Sequence, residues 1–330
     1  MPGGRVRVSS VWSWAGRTRL LAAASALLCG VAGVAVVPSA SSSAQPATAL
    51  AYHDYVALGD SYTADVLSGP LPPTTEFVPL GCAQSGADYP HQVARLLHVA
   101  LFHDSSCGSA TTADMTQPQS VPFGGTAPPQ FGALNASVDL VTLGIGGNDV
   151  GFVSDAESCL NLVPTPIPGA PEGLGGSCAA RFTAGGVDQI SEAIKATAPK
   201  IATVLEEIRQ RAPNAHILLV NYLDAVPLDG RGCWSPAVPV QNQDMAYLAA
   251  KFVEMEQMLA STAALEHVQL ADTFTPTIGH DVCQGPTVRD VEGVLPLSLN
   301  PPDVNFPLHP NGAGAKAQAV AVYAGIEGGS

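Results

Sequence analysis

Val138-Asp139-Leu140-Val141-Thr142-Leu143-Gly144-Ile145, followed at once by Gly146-Gly147-Asn148-Asp149, commits the chain to an architecture. A strongly apolar run of eight residues that breaks into glycines reads as a strand delivered into a tight turn. Similar runs lie on either side of it. Tyr52–Leu58 ends in Gly59, Val99–His103 is shorter and weaker, His216–Tyr222 reads HILLVNY, and His267–Ala271 is a short fifth. Helical stretches are expected between and after them, over Tyr89–His98, Gly186–Arg211, Gln241–Ser261 and Ala313–Ile326, with Pro199 kinking or splitting the second. Strands alternating with helices imply an α/β fold, a parallel sheet covered on both faces. Ligands then bind beyond the carboxyl ends of the strands.

The connections are uneven. Ser68–Pro79 and Gln117–Pro129 are rich in proline and small residues, and Leu160–Ser177 is rich in proline and glycine between Cys159 and Cys178. No internal repeat occurs, and no linker is long enough to argue for a second domain, so one domain over 45–330 is expected.

Residues 1–44 read as an export signal. Arg5, Arg7, Arg17 and Arg19 form a basic start, Leu20–Val37 is uncharged and apolar, and Ser42-Ser43-Ala44 offers a cleavage site. The alternative is an uncleaved anchor, since the run is nearly long enough to span a bilayer. A cleaved signal implies a secreted protein without stable membrane anchoring. The whole chain carries a net charge of −14; the leader holds four arginines and no acid, so the remainder carries −18. Such a surface repels nucleic acid and anionic membranes. Cys29 lies in the leader, which leaves Cys82, Cys107, Cys159, Cys178, Cys233 and Cys283. An even count in an exported chain favours three disulfides over six buried thiols, and the sequence alone allows fifteen pairings. The spacings match no zinc pattern.

Three short blocks carry chemistry. The first strand runs into Gly59-Asp60-Ser61-Tyr62, the apolar run quoted above enters Gly146-Gly147-Asn148-Asp149, and His309-Pro310-Asn311-Gly312 opens the last helix. A serine hydroxyl is a weak nucleophile that needs a base, and histidine titrates near neutrality. An oxyanion needs donors aimed in advance, which Asn148 and the backbone N–H groups around Ser61 can supply. Taken singly, each block has a plainer reading: a strand-ending turn in which Asp60 caps a helix, a tight turn, a helix start. The three together favour catalysis. Asp60 and Asp149 are expected to orient their loops, and His53, His91, His98, His103, His216, His267 and His280 to be surface or structural.

These blocks, in this order, resemble the SGNH/GDSL hydrolase superfamily over roughly Tyr52 to Ile326. The resemblance implies a three-layer α/β/α flavodoxin-like sandwich of about five parallel strands and a serine esterase or lipase acting through an acyl-serine. Ser61 would be the nucleophile, His309 the base and Asn148 an oxyanion donor with the Ser61 N–H. The block that supplies a glycine donor in the family reads Cys107-Gly108-Ser109-Ala110-Thr111 here, with Ser109 at the donor position. Many members place an aspartate three residues before the histidine, where this chain has Phe306. The third group is then the Phe306 main-chain carbonyl, which Pro307 biases towards an extended conformation, or Asp303 folding back. Secreted actinobacterial esterases pair neighbouring cysteines, which implies Cys82–Cys107, Cys159–Cys178 and Cys233–Cys283.

Other enzyme classes lack their motifs: no Gly-x-Ser-x-Gly, no His-Glu-x-x-His and no P-loop occurs. A serine hydrolase of this kind needs no cofactor and no metal, and a monomer is expected. The resemblance implies a small-molecule or lipid ester as substrate, and the apolar, proline-rich loops lean towards lipid-like acyl groups. The alternatives are an exported, non-catalytic binding protein on the same fold, or an esterase specific for O-acetylated carbohydrate.

Overall fold

The computed structural model describes residues 52–69, 71–121, 124–295 and 305–328. The leader, Cys29 and Asp303 lie outside the described residues. Strands β1 (Asp54–Gly59), β2 (Leu101–Asp104), β3 (Leu140–Gly144), β4 (His216–Val220) and β5 (Gln269–Ala271) pair in parallel in the order β2-β1-β3-β4-β5. This is the flavodoxin-like order, whose direction of winding reverses between β1 and β3. The helices are α1 (Ser61–Ala64), α2 (Tyr89–Leu97), α3 (Gly147–Val150), α4 (Phe152–Ser158), α5 (Cys178–Phe182), α6 (Gln189–Arg211), α7 (Asn242–Leu265) and α8 (Gly312–Gly328).

The period of two in β1 sorts its side chains between two cores. Tyr55 and Ala57 pack with Tyr89 and Val93 of α2 and Ala319, Val322 and Ile326 of α8. Val56 and Leu58 belong to the other core, with Ile194, Ile201 and Leu205 of α6 and Phe252 and Leu259 of α7. The result is three layers. Leu140, Val141 and Leu143 of β3 are fully buried, and each contributes about 1.5–3 kcal/mol of apolar burial. That is why the run reads as continuously apolar rather than alternating.

Helix α6 passes through Pro199 as one element, where a kink or a split was expected. Pro199 and Lys195, four residues before it, both lie on the exposed side, where water can satisfy the carbonyl that a missing N–H leaves free. Its buried residues, Ile190, Ile194, Thr197, Ile201, Leu205 and Ile208, follow the helical period, and Asp188 caps it by accepting from the Ser191 N–H. Helix α2 stops at Leu97 because His98 takes a left-handed conformation, φ 53°. The short helices α1, α3, α4 and α5 escaped the periodicity because elements of four to seven residues show too few turns to establish a stripe.

Cys82–Cys107, Cys159–Cys178 and Cys233–Cys283 are bridged, in the pairing the family resemblance implies. The second bridge closes the proline- and glycine-rich loop. There Asn161 accepts from the Gly175 N–H at 2.9 Å and donates to the Gly176 carbonyl at 2.9 Å. Among the described residues no helix is long and apolar enough to cross a membrane.

Candidate active site

Ser61 opens α1 where β1 ends, at the reversal of winding, and is buried. Gly59 must be glycine, because a Cβ there would stand 2.2 Å from Thr63 Oγ1 and 2.6 Å from the Gly144 carbonyl oxygen. Asp60 caps α1 by accepting from the Tyr62 N–H, and its own N–H donates to the Gly144 carbonyl at 3.0 Å, which ties the end of β1 to β3. Gln130 holds the same turn from outside, accepting from the Gly59 N–H and donating to the Gly59 carbonyl, each at 2.8 Å.

His309 Nε2 lies 2.8 Å from Ser61 Oγ, and His309 Nδ1 lies 2.7 Å from the Pro307 carbonyl oxygen. A carbonyl can only accept, so Nδ1 carries the proton and Nε2 presents its lone pair to the serine hydroxyl. The ring is buried, with Tyr62 tilted against it at 5.3 Å and the Phe306 ring edge-on at 5.1 Å. Burial pushes the His309 pKa down to about 4, opposed only weakly by the hydrogen bond to Pro307. The imidazole is therefore neutral, and competent as a base, across the neutral range.

The carbonyl at Nδ1 belongs to Pro307 and not to Phe306, which corrects the sequence-based expectation by one residue. The Phe306 carbonyl is taken by the His309 N–H at 3.4 Å, closing a turn over 306–309 in which Leu308 has φ 60°. With that carbonyl engaged, the next one along faces the ring. The Tyr62 hydroxyl anchors the turn by donating to the Leu308 carbonyl at 2.8 Å.

Two blocks besides the first bear on the oxyanion expectation. Asn148 sits in α3, and its Nδ2 donates to the Ala110 carbonyl at 2.9 Å, which fixes the carboxamide plane and leaves the second N–H of that nitrogen. Ser61, Asn148, Gly147, Phe152 and Tyr222 line one small cleft. Ser109 takes a left-handed conformation, φ 65°, and is exposed, whereas Gly108 is closed in: a Cβ there would stand 2.9 Å from the Cys82 carbonyl oxygen. The glycine of this block is thus needed at Gly108. Gln119 donates to the Gly108 carbonyl at 2.7 Å, and in a trans peptide this sends the Ser109 N–H the opposite way. Among the described residues neither the Ser61 nor the Ser109 N–H has a hydrogen-bond partner.

Sequence reasoning missed Tyr222, which joins the first and third blocks. Its hydroxyl donates to Asp60 Oδ2 at 2.6 Å and accepts from the Gly147 N–H at 2.7 Å. The one signal for it was its place at the carboxyl end of the HILLVNY strand. Burial raises the Asp60 pKa to about 7, with the Tyr222 hydrogen bond acting in the opposite direction. Asp149 orients its loop, accepting from the Thr112 N–H and hydroxyl at 2.8 and 2.6 Å and from Lys200 at 3.2 Å.

An apolar cleft adjoins the small cleft that holds the serine. It shares Tyr62, Phe152 and Val153 with the small cleft, continues over Leu160, Val238, Val240, Met245 and Leu248, and is bordered by Leu308.

The sequence pattern of the GDSL-like Lipase/Acylhydrolase family matches residues 57–317. The chain is 34% identical over 281 residues to Lipase 2 of Streptomyces coelicolor, which covers 85% of this chain and 88% of the relative. It is 30% identical over 334 residues to an esterase of Streptomyces scabiei, with 94% of each covered. Among solved structures, an extracellular lipase of Streptomyces rimosus superimposes with a TM-score of 0.62 at 24% identity, covering 83% of this chain and 99% of that one.

Proposed function

The chain belongs to the GDSL-like lipase/acylhydrolase family and is an ester hydrolase; from this premise we propose that it cleaves carboxylic esters of apolar acyl groups through an acyl-Ser61 intermediate. The observation that carries the reading is the relay from Ser61 Oγ through the His309 ring to the Pro307 carbonyl. His309 Nε2 takes the hydroxyl proton as Oγ attacks the acyl carbon. The oxyanion forms against the Ser61 and Ser109 N–H groups and the Asn148 carboxamide. Collapse of the tetrahedral intermediate breaks the ester bond, and His309 returns the proton to the departing alcohol. Water then repeats the sequence on the acyl-enzyme and releases the acid. A neutral carbonyl on Nδ1 holds the tautomer but stabilises the imidazolium less than a carboxylate, so the relay is a dyad.

The apolar cleft beside Ser61 favours an acyl chain over an acetyl group, which would leave most of that surface unfilled. Residues 1–44 are read as a leader removed on export and 45–330 as the hydrolase domain, supported by a compact unit whose described residues begin at Tyr52. The three disulfides suit an extracellular location. The secreted enzyme is read as a monomer that does not bind nucleic acid.

A chain-length series of p-nitrophenyl esters, run on wild type and Ser61→Ala, tests this. Rates should peak above acetyl, and Ser61→Ala should lose at least ~10³ in kcat, with a fluorophosphonate labelling Ser61 in the wild type. A preference for acetyl would favour the O-acetylated carbohydrate reading. Labelling elsewhere with activity intact would remove Ser61 from the mechanism.

A further inference from the structure

Away from the catalytic relay, Asp88, His91 and Asp104 bring one candidate ligand atom each within 4.8 Å of one another. Asp88 precedes α2, His91 lies in its first turn, and Asp104 ends β2. His91 Nδ1 stands 2.7 Å from Asp88 Oδ1 and 3.8 Å from Asp104 Oδ2. Both carboxylates are fully buried, and Asp88 Oδ2 and Asp104 Oδ2 have no hydrogen-bond partner among the described residues. The other oxygens are committed: Asp88 Oδ1 accepts from the His91 N–H at 2.9 Å and Asp104 Oδ1 from the Ser106 N–H at 2.9 Å. The imidazole packs against both Phe77 and Phe102, at ring separations of 6.0 and 5.1 Å, and those two rings touch each other at 5.5 Å.

Two buried carboxyls face one imidazole, with no lysine or arginine in contact with either among the described residues, and burial beside each other drives both well above the usual carboxylate range, so ionising the pair needs a counter-charge. Such an arrangement is costly unless a cation completes it. We propose that Asp88, His91 and Asp104 bind a divalent transition-metal cation, with Zn²⁺ chemistry as the best match. One imidazole nitrogen with two carboxylate oxygens is a borderline donor set of the kind zinc takes, and a fourth position is left for water. Zinc bonds of about 2.0–2.1 Å in a tetrahedron place ligand atoms about 3.3 Å apart, against the 3.8 Å between His91 Nδ1 and Asp104 Oδ2, and the cation takes the place of the proton between His91 Nδ1 and Asp88 Oδ1.

The site is structural. It fastens the start of α2 to the carboxyl end of β2, and the chain leaves Asp104 through Ser105 and Ser106 into Cys107, Gly108 and Ser109. A cation there braces the loop that carries the proposed Ser109 donor. The motif is invisible to cysteine-based zinc patterns because its ligands come from a helix cap, a helix turn and a strand end.

Equilibrium dialysis of the metal-stripped full chain against micromolar Zn²⁺, read by elemental analysis, tests the proposal. Wild type and the exposed-histidine control His53→Ala should each retain one equivalent. His91→Ala and Asp104→Asn, shown to be folded by circular dichroism, should retain none. Saturating Zn²⁺ should raise the wild-type Tm by at least about 3 °C, as binding to the native state alone requires. If both variants fail to fold, diethylpyrocarbonate footprinting of the wild type replaces them, and Zn²⁺ must protect His91. Wild type that retains no zinc, a folded His91→Ala that keeps its equivalent, or His91 unprotected at saturation overturns the proposal and leaves a proton shared by the two carboxyls as the occupant.

Discussion

Replacing Tyr222 by phenylalanine deletes one oxygen from the junction of the first and third blocks and changes little else in volume. Two contacts go with it: the acceptor for the Gly147 N–H at 2.7 Å and the donor to Asp60 Oδ2 at 2.6 Å. The ring itself stays packed edge-on against Tyr62 at 5.2 Å, so the apolar contribution is kept. A buried polar group left without its partner costs about 1–3 kcal/mol, and two are orphaned here. Asp60 offsets part of this by taking a proton, which its raised pKa of about 7 makes easy. Tyr222→Phe should therefore lose about 2–4 kcal/mol of stability, the lower part of the summed range. In activity the loss should be indirect. The Gly147-Asn148 turn loses its anchor while Asn148 keeps its bond to Ala110, so kcat should fall by roughly tenfold, short of the ~10²–10³ lost when an oxyanion donor is removed outright. Urea unfolding followed by tryptophan fluorescence gives the first number and p-nitrophenyl ester kinetics the second. A variant within about 0.5 kcal/mol of wild type, the range of a neutral surface change, and with unaltered kcat would show that Tyr222 does not hold the turn.

Asn148→Ala should lower kcat by roughly 10²–10³ with KM nearly unchanged; a pure KM effect in steady-state kinetics would assign Asn148 to substrate binding. The acid limb of kcat/KM should fall near pH 4, the depressed value of His309, because the neutral imidazole is the base and activity is lost as pH drops through that pKa. A limb near the ordinary histidine value of 6.5 would mean that His309 is not desolvated in the free enzyme. Asp303→Asn should cost less than about tenfold, because the Pro307 carbonyl already takes Nδ1; a kcat loss near 10⁴, the scale for a true triad aspartate, would replace the dyad by a triad.

Much of this was legible in the chain itself. The apolar runs located all five strands, because a strand core must be written in apolar residues, and the two that carry the first and third blocks also exit into tight turns through Gly59 and Gly144. Ser61, Asn148 and His309 were visible because each follows a strand or opens a helix in a short block of unusual composition. Boundaries were less legible: β5 begins at Gln269, and His267, inside the expected strand, takes φ 51° in the turn before it.

What the sequence by itself determined was local and compositional: which segments extend or coil, which residue types can attack, accept a proton or donate to an oxyanion, and, through the resemblance, which cysteines pair. Only the tertiary structure decided which carbonyl faces His309, because that depends on the Phe306 carbonyl being occupied within its own turn. The Asp60–Tyr222–Gly147 bridge and the Asp88–His91–Asp104 cluster likewise required the folded chain. Their members lie on separate elements, and no period or spacing along a chain records which side chains the packing of a sheet and its helices will bring within hydrogen-bond distance.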